Sequence, residues 1–179
     1  VILGLIVGAI VMLISGYDPI LGYAALWEGI FGDAYRMGET VRQITPYLLS
    51  GLAVAFAFRT GLFNIGVEGQ LLVGWFAAAY VGIAFDLPMY IHLPLAILAA
   101  AVAGGLWAFL PGLLKAKLQV HEVIVTIMMN YIALHTTNAL IKIVADGGDS
   151  TESIKPTASL TSAFFQSMTD YSRLHYGIF

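Results

Sequence analysis

The residues best suited to chemistry in this sequence lie in one short polar stretch, Gly61–Gln70, between two apolar runs. Asn64, Glu68 and Gln70 supply two amides and a carboxylate, which can hydrogen-bond a polar solute or hold an irregular backbone in place. Glycines permit sharp turns and close helix packing, and the stretch has three: Gly61, Gly66 and Gly69. It is therefore a candidate helix break with a functional role.

Three interpretations of this stretch compete. It is a plain turn on the cytoplasmic side, or a broken helix with irregular backbone at membrane depth, which is tolerated only when buried in protein or lining a cavity. In the second case Asn64 is predicted to cap the next half-helix. The third interpretation is a glycine-rich phosphate cradle. Val67-Glu68 follows Gly66 where that motif requires Lys and then Ser or Thr, so the phosphate cradle is disfavoured.

A second polar group lies on one later apolar run. Glu122, Thr126, Asn130 and Thr137 stand at i, i+4, i+8 and i+15, on or near one helical face. Polar side chains inside a membrane usually face the bundle or an aqueous path, so this face either hydrogen-bonds neighbouring helices or lines a path. Glu122 has a further interpretation, since it can pair with Lys117 or favour the helix dipole at its start.

The composition indicates an integral membrane protein. The 179 residues are 59% hydrophobic and 11% charged, against about 25% charged in soluble domains. With no cysteine, the chain cannot form disulfides or Cys-ligated metal sites. Its four histidines show no metal-ligand spacing, and the net charge of -3 gives no sign of nucleic-acid binding. We predict no metal, cofactor or catalytic residue.

The elements that position these residues are predicted transmembrane helices, each needing about 20 apolar residues. The fold class is therefore all-α, a polytopic transmembrane bundle. Outer loops are predicted at 16–44 and 145–173, the second with a short surface helix near 162–168. The predicted spans are at about 1–15, 45–60, 65–85, 90–114 and 120–144, with a sixth starting at 174–179. Small residues four apart on the first, third and fourth spans predict that helices approach closely in a compact bundle: Gly4, Gly8, Gly74, Ala78, Gly82, Ala100, Gly104 and Ala108.

The short second span favours a break at membrane depth. Thr45 and Pro46 resemble an N-cap and first helical residue, and the charge-free run ends at Phe58. Those residues cover only about 22 Å, against a hydrocarbon core of about 30 Å. Because the sequence begins at Val1 inside an apolar run and ends as another begins, we expect a piece of a longer protein. A signal peptide is the alternative for residues 1–15.

The orientation is predicted from basic residues, which favour the cytoplasmic ends of spans. With the N-terminus in the cytoplasm, Arg59, Lys115 and Lys117 fall inside, and the more acidic loops fall outside.

Two blocks carry a resemblance to a known family. Residues 58–70 (FRTGLFNIGVEGQ) and 114–133 (LKAKLQVHEVIVTIMMNYIA) resemble the permease subunits of bacterial ABC importers for nucleosides, within the group of branched-chain amino acid and ribose permeases. The usual family form has Asn at the position of His121 and often Ser at that of Val125.

The resemblance implies a multi-pass permease of the bacterial cell membrane, similar to type II ABC importers, of which this chain is the N-terminal part. Its implied partners are a second permease, two ATP-binding subunits that hydrolyse ATP, and an extracytoplasmic substrate-binding lipoprotein; the ATPase-coupling segment is expected beyond residue 179. The permease would move a small polar solute by alternating access and is not itself an enzyme. The candidate path residues are Asn64, Glu68, Gln70, Thr126 and Asn130.

Three alternatives stay open from the sequence. One is an ABC permease for a sugar or branched-chain amino acid. Another is an ion-coupled secondary transporter, for which Glu68 is the candidate embedded carboxylate. The third is a structural membrane protein without a path.

Overall fold

Helices make up the regular structure of the computed structural model, which describes residues 1–145, 148, 150–161, 163–170, 172, 173 and 175. Within these residues no strand forms, and a 3-10 turn lies at Pro156–Ala158. The all-α prediction is confirmed. The helices are α1 (Ile2–Ile14), α2 (Pro19–Phe31), α3 (Ala34–Arg59), α4 (Val67–Ala84), α5 (Met89–Leu118), α6 (Glu122–Val144) and α7 (Ala163–Met168).

Four of these helices, α3 to α6, are long and apolar enough to cross a membrane. The helix α1 is apolar but has only 13 residues. The surface helix expected near residue 162 is α7. The predicted start of a sixth span at 174–179 lies outside the described residues, apart from His175. In the polar loop, 146, 147 and 149 also lie outside them.

The predicted start of the second long helix is wrong. Helix α3 begins at Ala34, runs through Pro46 and has 26 residues, a length of about 39 Å. Its start is marked by Asp33, whose Oδ1 accepts a hydrogen bond from Arg36 N at 2.7 Å, the ordinary geometry of an N-cap. Proline is tolerated inside membrane helices because neighbouring groups re-satisfy the backbone. The helix is therefore longer than the charge-free run from which a break at membrane depth was predicted, and that break remains a prediction.

The first of two compact units comprises Val1–Pro46 and Thr161–Phe179. Within it the Glu39 carboxylate accepts hydrogen bonds from Arg42 Nε at 2.9 Å and from Arg173 N at 2.7 Å. Hydrogen bonding to Glu39 also raises the pKa of the Arg173 guanidinium. A Cβ on Gly38 would lie 3.0 Å from Thr169 Cβ, so a glycine here permits the close approach of Thr169 and Ser172.

The second unit, Tyr47–Leu160, contains the polar stretch and the helices that position it. Helix α4 packs on both α5 and α6. A Cβ added to Gly74 would lie 3.0 Å from Ala100 O, and one added to Gly104 would lie 3.1 Å from Gln70 O. These contacts are tighter than ordinary side-chain packing, so the small residues on α4 and α5 allow the two helix backbones to approach closely, as predicted.

A buried histidine attaches the segment after α6 to the ends of α4 and α5. His92 is fully buried. Its Nε2 lies 3.0 Å from Val81 O, and its Nδ1 lies 2.7 Å from Thr157 Oγ1. Because a carbonyl only accepts, Nε2 carries the proton and the Thr157 hydroxyl donates to Nδ1. Lys155 N donates to Gly82 O at 3.0 Å beside this pair, so the segment is held at several points.

Candidate functional site

The candidate site begins where α3 ends. Gly61 has φ +79°, its N–H donates to Phe58 O at 3.1 Å, and Leu62 N–H donates to Ala57 O at 3.0 Å. This pair of bonds around a left-handed residue is the Schellman motif, which satisfies the last carbonyls of a helix. Phe63 then stacks on Phe58, with ring centroids 4.7 Å apart. The turn after α3 is thus fixed by its own hydrogen bonds and by an aromatic contact.

Asn64 shapes the approach to α4 without being its N-cap. Helix α4 begins at Val67, with Gly66 in the N-cap position and no capping side chain. Asn64 Oδ1 instead accepts from Gly66 N at 2.8 Å, two residues ahead, and from Gln70 Nε2 at 3.3 Å. The predicted capping role of Asn64 is wrong because the N-cap position falls on Gly66, two residues further along, so the amide that the Asn64 side chain reaches lies before the first turn of α4.

The first turn of α4 is capped from another helix. Asn130, on α6, accepts from Gly69 N through Oδ1 at 2.9 Å and donates from Nδ2 to Ile65 O at 3.0 Å. Thr126 donates its hydroxyl proton to Glu122 O at 2.8 Å in its own helix. Its oxygen then accepts a longer bond of 3.4 Å from Ile65 N. Two polar residues of α6 therefore satisfy the irregular backbone before α4.

Two glycines make this contact possible. A Cβ on Gly66 would lie 3.2 Å from Thr126 Cβ, and one on Gly69 would lie 3.1 Å from both Asn130 Cα and Ala133 Cβ. Because one of these neighbours is backbone, a side chain at Gly69 would force the helices apart. Both glycines are buried, whereas a Cβ on Gly61 would meet nothing within 4 Å.

The structure brings together four of the five candidate path residues: Asn64, Gln70, Thr126 and Asn130. Glu68 lies apart. It is exposed in the first turn of α4, where a carboxylate favours the helix dipole, and it makes no hydrogen bond or ion pair with the described residues. The arrangement can hold a helix break rigidly, and it leaves Glu68 accessible.

The family model for the branched-chain amino acid transport system permease component matches residues 36–173. The chain belongs to this permease family. It is 68% identical over 179 residues to a guanosine ABC transporter permease protein of Bacillus subtilis, covering 99% of this chain and 51% of that protein. It is 38% identical over 186 residues to a nucleoside ABC transporter permease protein of Lactococcus lactis, covering 99% of this chain and 51% of that protein.

A more distant relative has a different named solute. The permease chain is 35% identical over 148 residues to a glucose ABC transporter permease protein of Haloferax volcanii, covering 83% of this chain and 39% of that protein. The chain spans about half the length of the curated relatives it matches. No solved structure matches it significantly.

A small cavity of about 160 Å³ adjoins the break in this permease. Asn64 and Thr126 contribute to its wall, together with Lys115 and Glu122. Lys115 Nζ lies 2.7 Å from Glu122 Oε2, so the predicted partner of Glu122, Lys117, is wrong. Lys115 lies one turn from the end of α5, and α6 starts at Glu122, so the ion pair closes the turn that joins these helices.

A larger cavity, of about 270 Å³, lies further along α4 and α6. Sequence reasoning missed it, although two signals were available: Phe76 and Tyr80 at helical spacing, and Asn138 beside Thr137 on an apolar helix. Its wall is mostly apolar, and among its lining residues are three aromatic and three polar ones: Trp75, Phe76, Tyr80, Asn138, Ser150 and Thr151.

The described part of the permease holds no group of three or more His, Cys, Asp or Glu side chains that could bind a metal ion. The chemistry supported by its site residues is hydrogen bonding of backbone and of polar solutes.

Proposed function

We propose that this chain forms part of the permease subunit of an ATP-driven importer for nucleosides, and that it contributes to a path operated by alternating access. The observation that carries the proposal is its 68% identity to a guanosine permease over nearly the whole chain. The 38% identity to a nucleoside permease supports the same class of solute. The permease itself is non-catalytic, and ATP is bound and hydrolysed by partner subunits.

The polar stretch has a structural role in this proposal. Asn64, Thr126 and Asn130 hydrogen-bond to backbone groups of Ile65, Gly66 and Gly69, at the end of the α3–α4 connection and in the first turn of α4. They therefore keep α4 docked on α6 instead of binding solute directly. Glu68 and, in part, Gln70 are the members of the group left to meet a polar solute. Alanine variants that still assemble should fall into two groups. In Asn130→Ala the packing of α4 on α6 should weaken, whereas in Glu68→Ala only nucleoside uptake should change.

The importer requires further subunits. We propose a second permease, two ATP-binding subunits and a substrate-binding lipoprotein outside the membrane, which is the general composition of such importers. The N-terminus lies in the cytoplasm, since Arg59, Lys115 and Lys117 then follow the positive-inside rule.

Orientation can be tested directly because the chain has no cysteine. Single cysteines are introduced as Lys117→Cys and Glu152→Cys, and intact cells are treated with a membrane-impermeant maleimide. Labelling of the Glu152→Cys chain alone is expected. Labelling of the Lys117→Cys chain alone would show that the orientation is the reverse of the one proposed.

The test of function is uptake by cells carrying the assembled importer, measured in parallel for radiolabelled guanosine and radiolabelled glucose. Saturable guanosine uptake that is lost when the ATP-binding subunits are inactivated is expected. Uptake of glucose and not guanosine would favour the sugar permease, an alternative supported by the Haloferax relative. Uptake abolished by a protonophore at constant ATP would instead indicate an ion-coupled transporter.

A further inference from the structure

We propose that the cavity between α4 and α6 is a nucleoside subsite of the permease, in which the base stacks on the aromatic residues of α4 and hydrogen-bonds to Asn138. This inference rests on the proposed function and adds to it the place where the permease touches its solute. The cavity, of about 270 Å³, is close to the lower end of the roughly 300–1,000 Å³ typical of small-molecule sites.

The aromatic wall suits a flat ligand. Phe76 and Tyr80 are nearly parallel, with ring planes 22° apart and centroids separated by 6.3 Å. Trp75 adds a third ring and is 66% exposed. Such rings bind nucleobases through their faces, whichever base is offered. A sugar or a branched-chain amino acid has no comparable planar face, so the aromatic wall favours nucleosides over those solutes.

The polar wall suits the edge of a base. Asn138 is exposed on the apolar helix α6 and makes no hydrogen bond with the described residues. Its carboxamide has both a donor and an acceptor, the combination that pairs with a base edge. An unpaired amide in a membrane helix is costly unless it faces the bundle, an aqueous path or a polar ligand. Asn138 therefore differs from Asn130, whose amide is occupied by backbone.

The position of the cavity fits import. Helix α6 contributes residues from its second half and α4 contributes residues from Leu72 to Ile83, and Ser150 and Thr151 follow α6 in the wall. With the N-terminus in the cytoplasm, these parts are nearer the outer side. A nucleoside released by the binding protein would reach this subsite early, with its ribose hydroxyls near those of Ser150 and Thr151.

The experiment uses the assembled full-length importer in proteoliposomes, with guanosine-loaded lipoprotein at saturation. Guanosine uptake and ATP hydrolysis are measured together for Trp75→Leu, Asn138→Leu and the conservative Trp75→Phe. The control is Tyr131→Leu, which removes a ring that is 60% exposed on α6 and does not line the cavity. Losing one stacking contact is expected to lower uptake about five- to 100-fold, with lipoprotein-stimulated ATP hydrolysis retained and with partial recovery in Trp75→Phe.

A second measurement does not depend on any variant folding. The unmodified importer is irradiated with a photoreactive guanosine analogue, and the labelled peptides are mapped. Labelling within 72–83 or 137–151, competed by guanosine, supports the subsite. Labelling confined to other segments overturns it, as does uptake by Trp75→Leu and Asn138→Leu equal to that of Tyr131→Leu. If the cavity instead receives a helix or a lipid chain, Asn138→Leu keeps full uptake. Absence of guanosine uptake by the unmodified importer would overturn the proposed function itself.

Discussion

Replacing Asn130 by alanine should release the first turn of α4. The substitution removes the acceptor of Gly69 N–H, now 2.9 Å away, and the donor to Ile65 O, now 3.0 Å away. Gly69 is buried, and a buried donor left without a partner costs about 1–3 kcal/mol. Hydrogen bonds between membrane helices average only about 0.6 kcal/mol, with a maximum near 1.7. The amide of Gly69 has no other acceptor within its helix, which favours a value of about 2 kcal/mol.

That free energy corresponds to a roughly 30-fold rise in the local opening of this turn. The measurement is hydrogen exchange of the Gly69 amide in the chain held in a lipid nanodisc. Asn130→Asp provides a graded comparison, because it keeps an acceptor for Gly69 N–H and loses the donor to Ile65 O. We expect fast exchange in Asn130→Ala and slow exchange, near the unmodified rate, in Asn130→Asp.

Asn138→Ala is the matched control, since it removes the same residue type from the same helix without breaking a hydrogen bond to the described residues. Its Gly69 amide should exchange at the unmodified rate. Equal exchange in the unmodified, Asn130→Ala and Asn138→Ala chains would refute the anchoring of α4 by α6. Equally faster exchange of the Gly69 amide in Asn130→Ala and Asn138→Ala would show that the effect comes from a general loosening of α6 and not from the Asn130 hydrogen bonds.

Two further predictions concern the ends of the helices. Gly61→Ala should destabilise the chain by about 1–2 kcal/mol, because φ is +79° there. Gly105→Ala, inside α5 with open space around its Cβ, should instead stabilise it by up to about 1 kcal/mol. Unfolding curves in detergent that shift in the same direction for both variants would contradict this account. His92→Ala should release the segment 153–158, with a loss of about 1–3 kcal/mol in the free energy that holds it, and should speed proteolysis there. Removing the exposed His135 by His135→Ala should leave cleavage unchanged. Unaltered cleavage in His92→Ala would show that the other contacts of the segment hold it.

The sequence predicted much of the fold because membrane helices are long and strongly apolar. It also identified Asn64, Thr126 and Asn130 as polar residues that are costly to place in a membrane unless they find hydrogen-bond partners. It did not predict that they meet, because contacts across 61 to 65 positions depend on helix packing that no local pattern encodes. The start of α3 was misjudged for a related reason: Thr45-Pro46 is a strong local signal, yet the bundle tolerates Pro46 inside the helix and Asp33 supplies the cap.

The polar residues of α6 can be sorted by where their hydrogen bonds go. Thr126 and Thr137 donate to carbonyls of their own helix, at 2.8 Å in both cases, and Asn130 serves the backbone before α4. The polar groups of these three residues have hydrogen-bond partners within the chain, so their polarity is no evidence for contact with solute. Asn138, like the exposed His135 and Thr136, has no such hydrogen bond among the described residues, and of these three it is the one that lines the cavity. A polar group in a membrane needs a partner, and the partner that Asn138 lacks among the described residues is the reason to look for the nucleoside beside Asn138 as well as beside Glu68.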